Sequence, residues 1–214
     1  MDKIQVFDAT NFKQLCDVLA KKDKTLKGII TTYGYPPMWT RPASFETLIL
    51  TILEQQVSLA AAYAAFKKLK AKIKTVTPAK ILALTDEEMR ACYFTRQKTS
   101  YARILATAVH SKKLNIQQLQ QLPDEEVRAQ LIQLKGIGNW TVDVFLMHAL
   151  QRTDLFPLGD IALVNSLKET KNLPKETPKE HLLEIAESWR PYRTIAAMIL
   201  WHAYIKKRNI KIEG

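Results

Sequence analysis

The sequence predicts an all-α protein, and three observations carry that expectation. Residues with strong helix propensity dominate, apolar residues recur at helical spacing, and period-2 alternation is absent beyond a few residues. Helix-start signals also return at short intervals, so the helices are expected to be short and joined by tight turns. Ser44 can cap a helix that turns Phe45, Leu48, Ile49, Ile52 and Leu53 inward, and Ser58 can cap the alanine-rich helix that continues to about Lys70. Thr77-Pro78 marks a third start, with proline at the first helical position. Thr85 with Glu88, and Thr177 with Glu180, have capping-box spacing. Pro191 restarts the chain into a last apolar helix from Thr194 to about Ile205. The segments Thr85 to Ala91 and Pro123 to Ala129 echo one another, as a repeated helical hairpin would and as chance reuse of helix-start residues would too. Lys171 to Glu180 is the best candidate for an exposed connection.

Composition narrows the partner. The 214 residues include 32 Lys and Arg against 21 Asp and Glu, a net charge of +11. The surrounding field therefore attracts polyanions, and nucleic acid leads the partner classes; a basic surface that only aids solubility is the alternative. Two cysteines, Cys16 and Cys92, have no paired spacing, which argues against a disulfide framework or a cysteine-held cluster. The four histidines form no zinc-binding pattern. No apolar stretch approaches the ~20 residues that a bilayer requires. With no leader pattern at the start, the expectation is a soluble, intracellular, monomeric protein that makes no membrane contact.

The most informative segment is Leu134-Lys-Gly-Ile-Gly-Asn-Trp-Thr141, where one helical run meets another through Gly136, Ile137 and Gly138. Glycine permits positive φ and a close approach of another backbone, and the amides that open the second helix carry the positive end of its dipole. A nucleic acid phosphate fits such a place, although an ordinary glycine turn has the same local pattern. Further on, Asp160 precedes the apparent helix Ile161 to Lys168, and taken alone it is a helix N-cap.

Leu134 to Thr141, followed by Asp154-Leu-Phe-Pro-Leu-Gly-Asp160, resembles the hairpin, Gly/Pro-rich loop and catalytic aspartate of the helix-hairpin-helix DNA glycosylases. Phe45 to Ala62 with Gln55-Gln56-Val57-Ser58, then Phe94-Thr-Arg-Gln-Lys98, and Trp189-Arg-Pro-Tyr-Arg193 with the helix through Trp201, are similar to the alkylpurine branch containing bacterial 3-methyladenine DNA glycosylase II. The resemblance spans about residues 26–205. It implies a single glycosylase domain over 1–214, in two lobes with the active site in the cleft between them. The middle lobe would run from about 45 to 155 with the hairpin at 134–142, and the second lobe would combine about 1–44 with 156–214. The β-rich N-terminal domain of larger members is not expected in the few residues before Phe45.

What the resemblance implies about chemistry can be carried residue by residue. Asp160 would stabilise the positive charge that develops on the deoxyribose as the N-glycosidic bond breaks. Trp140 stands where strand-nicking members carry the lysine that forms a Schiff base, so hydrolysis leaving an abasic site is expected. Trp140 and Trp201 would line the base pocket, with Trp39 as a further wall; electron-rich indoles suit cationic alkylated purines such as 3-methyladenine and 7-methylguanine. Each tryptophan would otherwise be a core residue. Gln56 would fill the gap left by the flipped nucleotide, with Gln55 beside it facing the opposite strand and Ser58 close by. Lys135, Gly136, Ile137, Gly138, Asn139 and Thr141 at the hairpin, with Arg96 and Lys98, would meet phosphates. No cofactor is required, while main-chain carbonyls of Ile132, Leu134 and Ile137 would hold a structural Na+ or K+. The implied partner is damaged double-stranded DNA. Two other readings stay open here: a glycosylase for another lesion such as oxidised guanine, and a noncatalytic DNA-binding module.

Overall fold

The computed structural model describes residues 5–210, so the outermost ends of the expected 1–214 domain lie outside the described residues. Thirteen α-helices occur among the described residues, and strand pairing there is confined to one isolated bridge, Val6 with Arg152. The chain forms two compact units. The described part of one comprises 5–40 with 146–210, and that of the other 41–145. The second boundary falls inside a helix, Asn139–His148.

The 41–145 unit begins with α3 (Phe45–Glu54), following α1 (Phe12–Lys22) and α2 (Lys24–Tyr33) of the other unit. Every residue of α3 except Glu46 is buried, because it runs through the middle of its unit. Ser44 caps it by accepting from the Thr47 amide, and Ser58 caps α4 (Leu59–Ile73) through the Ala61 amide. α5 (Pro78–Ala83) starts on Thr77-Pro78, and α6 (Asp86–Ala91) has the full Thr85/Glu88 capping box. α7 (Arg96–His110) packs on α3, α5 and α6. After the short α8 (Ile116–Leu119), α9 (Asp124–Ile132) leads through the glycine turn into α10 (Asn139–His148). Thus the two Asp-Glu-Glu-x-Arg-Ala segments do open equivalent pieces, a short helix followed by a turn and a second helix. Only the first has a side-chain cap; Pro123 makes none.

The other unit packs α2, α1 and α11 (Ile161–Thr170) around α13 (Arg193–Lys207), and α12 (Lys179–Glu187) lies between α11 and α13 in the chain. Its core includes Leu19, Leu26, Leu163, Leu167, Trp189 and Ile199. The Thr177/Glu180 capping box does not form. Thr177 instead donates its hydroxyl to the Pro174 carbonyl at 2.7 Å, and α12 starts one residue later on Pro178 without a side-chain cap. A carbonyl three residues back offers the hydroxyl a local partner before the helix begins. The segment leading to Asp160 is pinned to α13: the Leu155 amide donates to Thr194 Oγ1, the Thr194 amide donates to the Thr153 carbonyl, and Asp154 receives Arg193.

Asp23 organises the same unit. One carboxylate oxygen accepts the Thr25 and Leu26 amides, capping α2, and the other accepts Lys171 Nζ at 2.6 Å and Trp189 Nε1 at 2.9 Å. Burial would raise this carboxyl's pKa, but Lys171, Trp189 and the Leu26 amide together hold it below the ordinary value of 3.8. The stability it contributes is therefore fully present above pH 3.8 and is lost as pH falls through the lower folded value. Replacing Asp23 with Ala should cost about 3 kcal/mol, because Lys171 and Trp189 lose a buried partner. Thermal unfolding across the acid range checks both statements. An Asp23→Asn variant should show a shallower acid slope than the parent.

Candidate active site

The hairpin forms because its two glycines solve different problems. Gly136 sits at φ +97°, a left-handed conformation that side chains resist, and the Tyr101 ring occupies the place where its Cβ would stand. The Ile137 amide closes the turn onto the Leu134 carbonyl at 3.0 Å, and Ile137 is buried beneath it. Gly138 has open space where its Cβ would be, just before α10 begins. The space within 4 Å of that Cβ position is open, at the helix start where the first amides lack intrahelical acceptors.

Several side chains assigned from the sequence to phosphate contacts have partners inside the protein. Thr141 is buried, and its hydroxyl accepts from Gln55 Nε2 at 3.0 Å. Asn139 Oδ1 accepts from Arg128 Nη1, whose other nitrogen pairs with Asp143. Lys98 donates to the Leu53 carbonyl at 2.6 Å, at the end of α3, and burial pulls its pKa below the usual lysine value. Arg96, Lys135, Gln56 and Ser58 are exposed. Gln56, between α3 and α4, is held in the left-handed region at φ +56°.

In the other unit, Asp160 is half-buried at the N-terminus of α11. Its Oδ1 accepts the Leu163 amide at 2.8 Å and the indole N–H of Trp201 at 3.0 Å. The capping role seen in the sequence is therefore real, and the same oxygen is oriented from α13. His148 stacks on Trp201 with ring centroids 5.5 Å apart and 26° between planes. Because a carbonyl only accepts, His148 must donate through Nδ1 to the Trp39 carbonyl, 2.7 Å away. Trp39 lies tilted against His202, whose Nε2 donates to the Tyr33 carbonyl. Trp39, His148, Trp201 and Asp160 thus form one continuous chain of contacts. Trp140, at the second position of α10, is half-buried. Of the remaining tryptophans, Trp189 is wholly core.

Sequence reasoning missed His148, Arg41 and Tyr101. His148 belongs to no motif, and its ring reaches Trp201 only through packing. Arg41 pairs in two-pronged fashion with the buried Glu54, at 2.9 and 2.6 Å, immediately before the Gln55-Gln56 turn. A glutamate at the apolar end of α3 was the available signal, since a buried carboxylate demands a partner. Tyr101 gave none. Among the described residues, no cluster of His, Cys, Asp or Glu is arranged to hold a metal, and no helix is long and apolar enough to cross a membrane.

A DNA-3-methyladenine glycosylase of Schizosaccharomyces pombe is 32% identical over 182 residues, covering 83% of this chain and 80% of its own. The solved structure of the S. pombe 3-methyladenine DNA glycosylase Mag1 in complex with abasic DNA superposes with a TM-score of 0.81 at 31% identity, covering 88% of this chain and 95% of that one. A DNA-3-methyladenine glycosidase from Bacillus halodurans gives 0.73 at 27% identity, covering 97% and 94%. The family model that matches residues 49–191 takes in both the hairpin and Asp160. The chain belongs to the HhH-GPD superfamily of base excision DNA repair proteins.

Proposed function

We propose that the protein is a monofunctional DNA glycosylase that excises alkylated purines from double-stranded DNA and leaves an abasic site. The observation that carries this reading is Asp160, fixed at a helix N-terminus by the Leu163 amide and the Trp201 indole. As the bond from C1′ to the base nitrogen lengthens, its electron pair leaves with the purine and positive charge builds on the sugar. The Asp160 carboxylate stabilises that charge and orients a water, whose oxygen bonds C1′ while its proton passes to the carboxylate. A purine methylated at N3 or N7 departs neutral, so little acid catalysis is needed. Trp140 offers such a cationic base an electron-rich stacking face. Since Trp140 cannot form an imine, the chemistry stops at hydrolysis.

The hairpin amides beside Gly138, aided by Lys135 and Arg96, bind phosphates without reading sequence. The carbonyls at the end of α9 and in the turn, those of Ile132, Leu134 and Ile137, suit a weakly hydrated Na+ or K+. They sit at the negative end of a helix, and the Leu134 oxygen keeps a second lone pair beside its bond from Ile137. The protein would act as a monomer wherever the DNA resides, with no other cofactor.

Incubation with methylated duplex DNA should release 3-methyladenine and 7-methylguanine. Borohydride should trap no covalent complex; a trapped adduct would contradict hydrolysis, and the absence of any base release would reject the assignment. Trp201→Phe keeps a flat ring against His148 but removes the N–H that orients Asp160. Its single-turnover excision rate should fall about tenfold, the lower end expected for a hydrogen bond to a charged group. Affinity for DNA carrying an abasic analogue should stay within about twofold, because the lost donor faces the carboxylate and not the strand.

A further inference from the structure

The end of α3 that leads into the turn before α4 is tied down by long-range contacts. The last carbonyls of α3 are held by Lys98 at Leu53, and Glu54 is gripped by Arg41, which also reaches the Tyr63 hydroxyl at 3.3 Å. Gln55, the C-cap of α3, follows directly. Gln55 then extends its side chain across to the hairpin, where Nε2 donates to the Gly136 carbonyl at 2.8 Å and to Thr141 Oγ1 at 3.0 Å. The Gly136 carbonyl can only accept, so the amide nitrogen must be the atom that faces it, and its two hydrogens match the two acceptors. Those acceptors lie on either side of residues 137–140, the stretch that contains the open Gly138 and the first amides of α10. One side chain thus spans both limbs of the hairpin.

The next residue, Gln56, is exposed and held at φ +56°. A non-glycine residue there costs of order 1 kcal/mol, and it persists only where the surroundings over-determine it. We propose that Gln55 is a positioning residue that couples the hairpin's hold on the DNA strand to the placement of Gln56 in the base stack. The inference rests on the function proposed above, in which the hairpin binds phosphate, and on the gap-filling role that the family resemblance implies for Gln56. A shift of the hairpin under a bound phosphate passes through the Gln55 amide to the residue directly attached to it. No glutamate can substitute, since it has the same shape but donates neither bond and sets its charge against a carbonyl oxygen.

The test uses the full chain and two duplexes, one intact and one carrying a tetrahydrofuran analogue of an abasic site. Wild type should prefer the analogue. Gln55→Ala and Gln55→Glu should each lower that preference about tenfold, as loss of two hydrogen bonds predicts. In a Gln56→Ala background the same replacements should cost less than about twofold more, because nothing remains to be positioned. Additive losses in the double variants would overturn the coupling, and so would an equal fall in affinity for both duplexes, which would mark Gln55 as a mere support of the hairpin. Gln55→Glu, which preserves volume, decides the matter where Gln55→Ala folds poorly. Neither duplex contains an alkylated base, so failure of the substrate assignment would leave this experiment readable. A wild type that binds both duplexes alike would overturn the role of Gln56 itself.

Discussion

Replacing Asp160 with Asn should reduce base release from methylated DNA by about 10³-fold, the scale expected when a pre-aligned group facing developing charge is lost. Asparagine is as good an N-cap as aspartate, and its carbonyl oxygen can still accept the Leu163 amide and the Trp201 indole that Asp160 Oδ1 accepts now. The start of α11 should therefore survive, and the unfolding temperature should move by no more than the equivalent of about 1 kcal/mol. What disappears is the negative charge. Affinity for DNA carrying an abasic analogue should not fall, because the proposed phosphate contacts are amides and cations elsewhere. Quantifying released bases under single-turnover conditions beside a calorimetric scan separates these effects. Unchanged release would remove Asp160 from the mechanism, whereas a large fall in stability would show that the carboxylate serves the fold first.

The second large effect is expected at Gly136. Alanine there must adopt φ +97° and place its methyl group inside the Tyr101 ring, so either the hairpin or α7 has to move. Backbone strain and overpacking together should destabilise the protein by about 3 kcal/mol. Because the hairpin amides would shift with the turn, DNA affinity should drop and its dependence on salt should become shallower by about one unit of log–log slope. Gly138→Ala provides the contrast. Its Cβ meets nothing within 4 Å, so the fold should tolerate it. The methyl group would instead enter the space proposed for a phosphate, so weaker DNA binding at an unchanged unfolding temperature is expected. If both variants lost stability equally, the separate roles assigned to the two glycines would be wrong.

The candidate site was legible wherever its signals were local. Asp160 stands directly before the helix it caps, and the Gly136-Ile137-Gly138 turn occupies consecutive residues, so cap and turn were readable from spacing, while their assignment to a glycosylase site came from the family resemblance. The capping box at Thr85 was readable for the same reason, since donor and acceptor lie three residues apart. Thr177 had the same spacing and failed. A carbonyl in the preceding turn captured its hydroxyl, a competition that the pattern of residue types does not encode.

Side-chain commitments were not legible. Thr141, Lys98 and Gln55 read from the sequence as polar groups near a DNA strand, yet each spends a polar atom on another part of its own unit. The Gln55 and Gly136 partners are 81 residues apart, and Trp201 and Asp160 are 41 apart. By itself the sequence determined the helical class, the element starts, the glycine turn and the acidic residue that begins α11, because caps and backbone preferences act within about four residues. Only tertiary structure decided which face of Trp201 is covered, which oxygen of Asp160 is oriented and where the Gln55 amide points. Those outcomes depend on how distant helices pack, and a polar group that packing buries takes whatever partner it finds there.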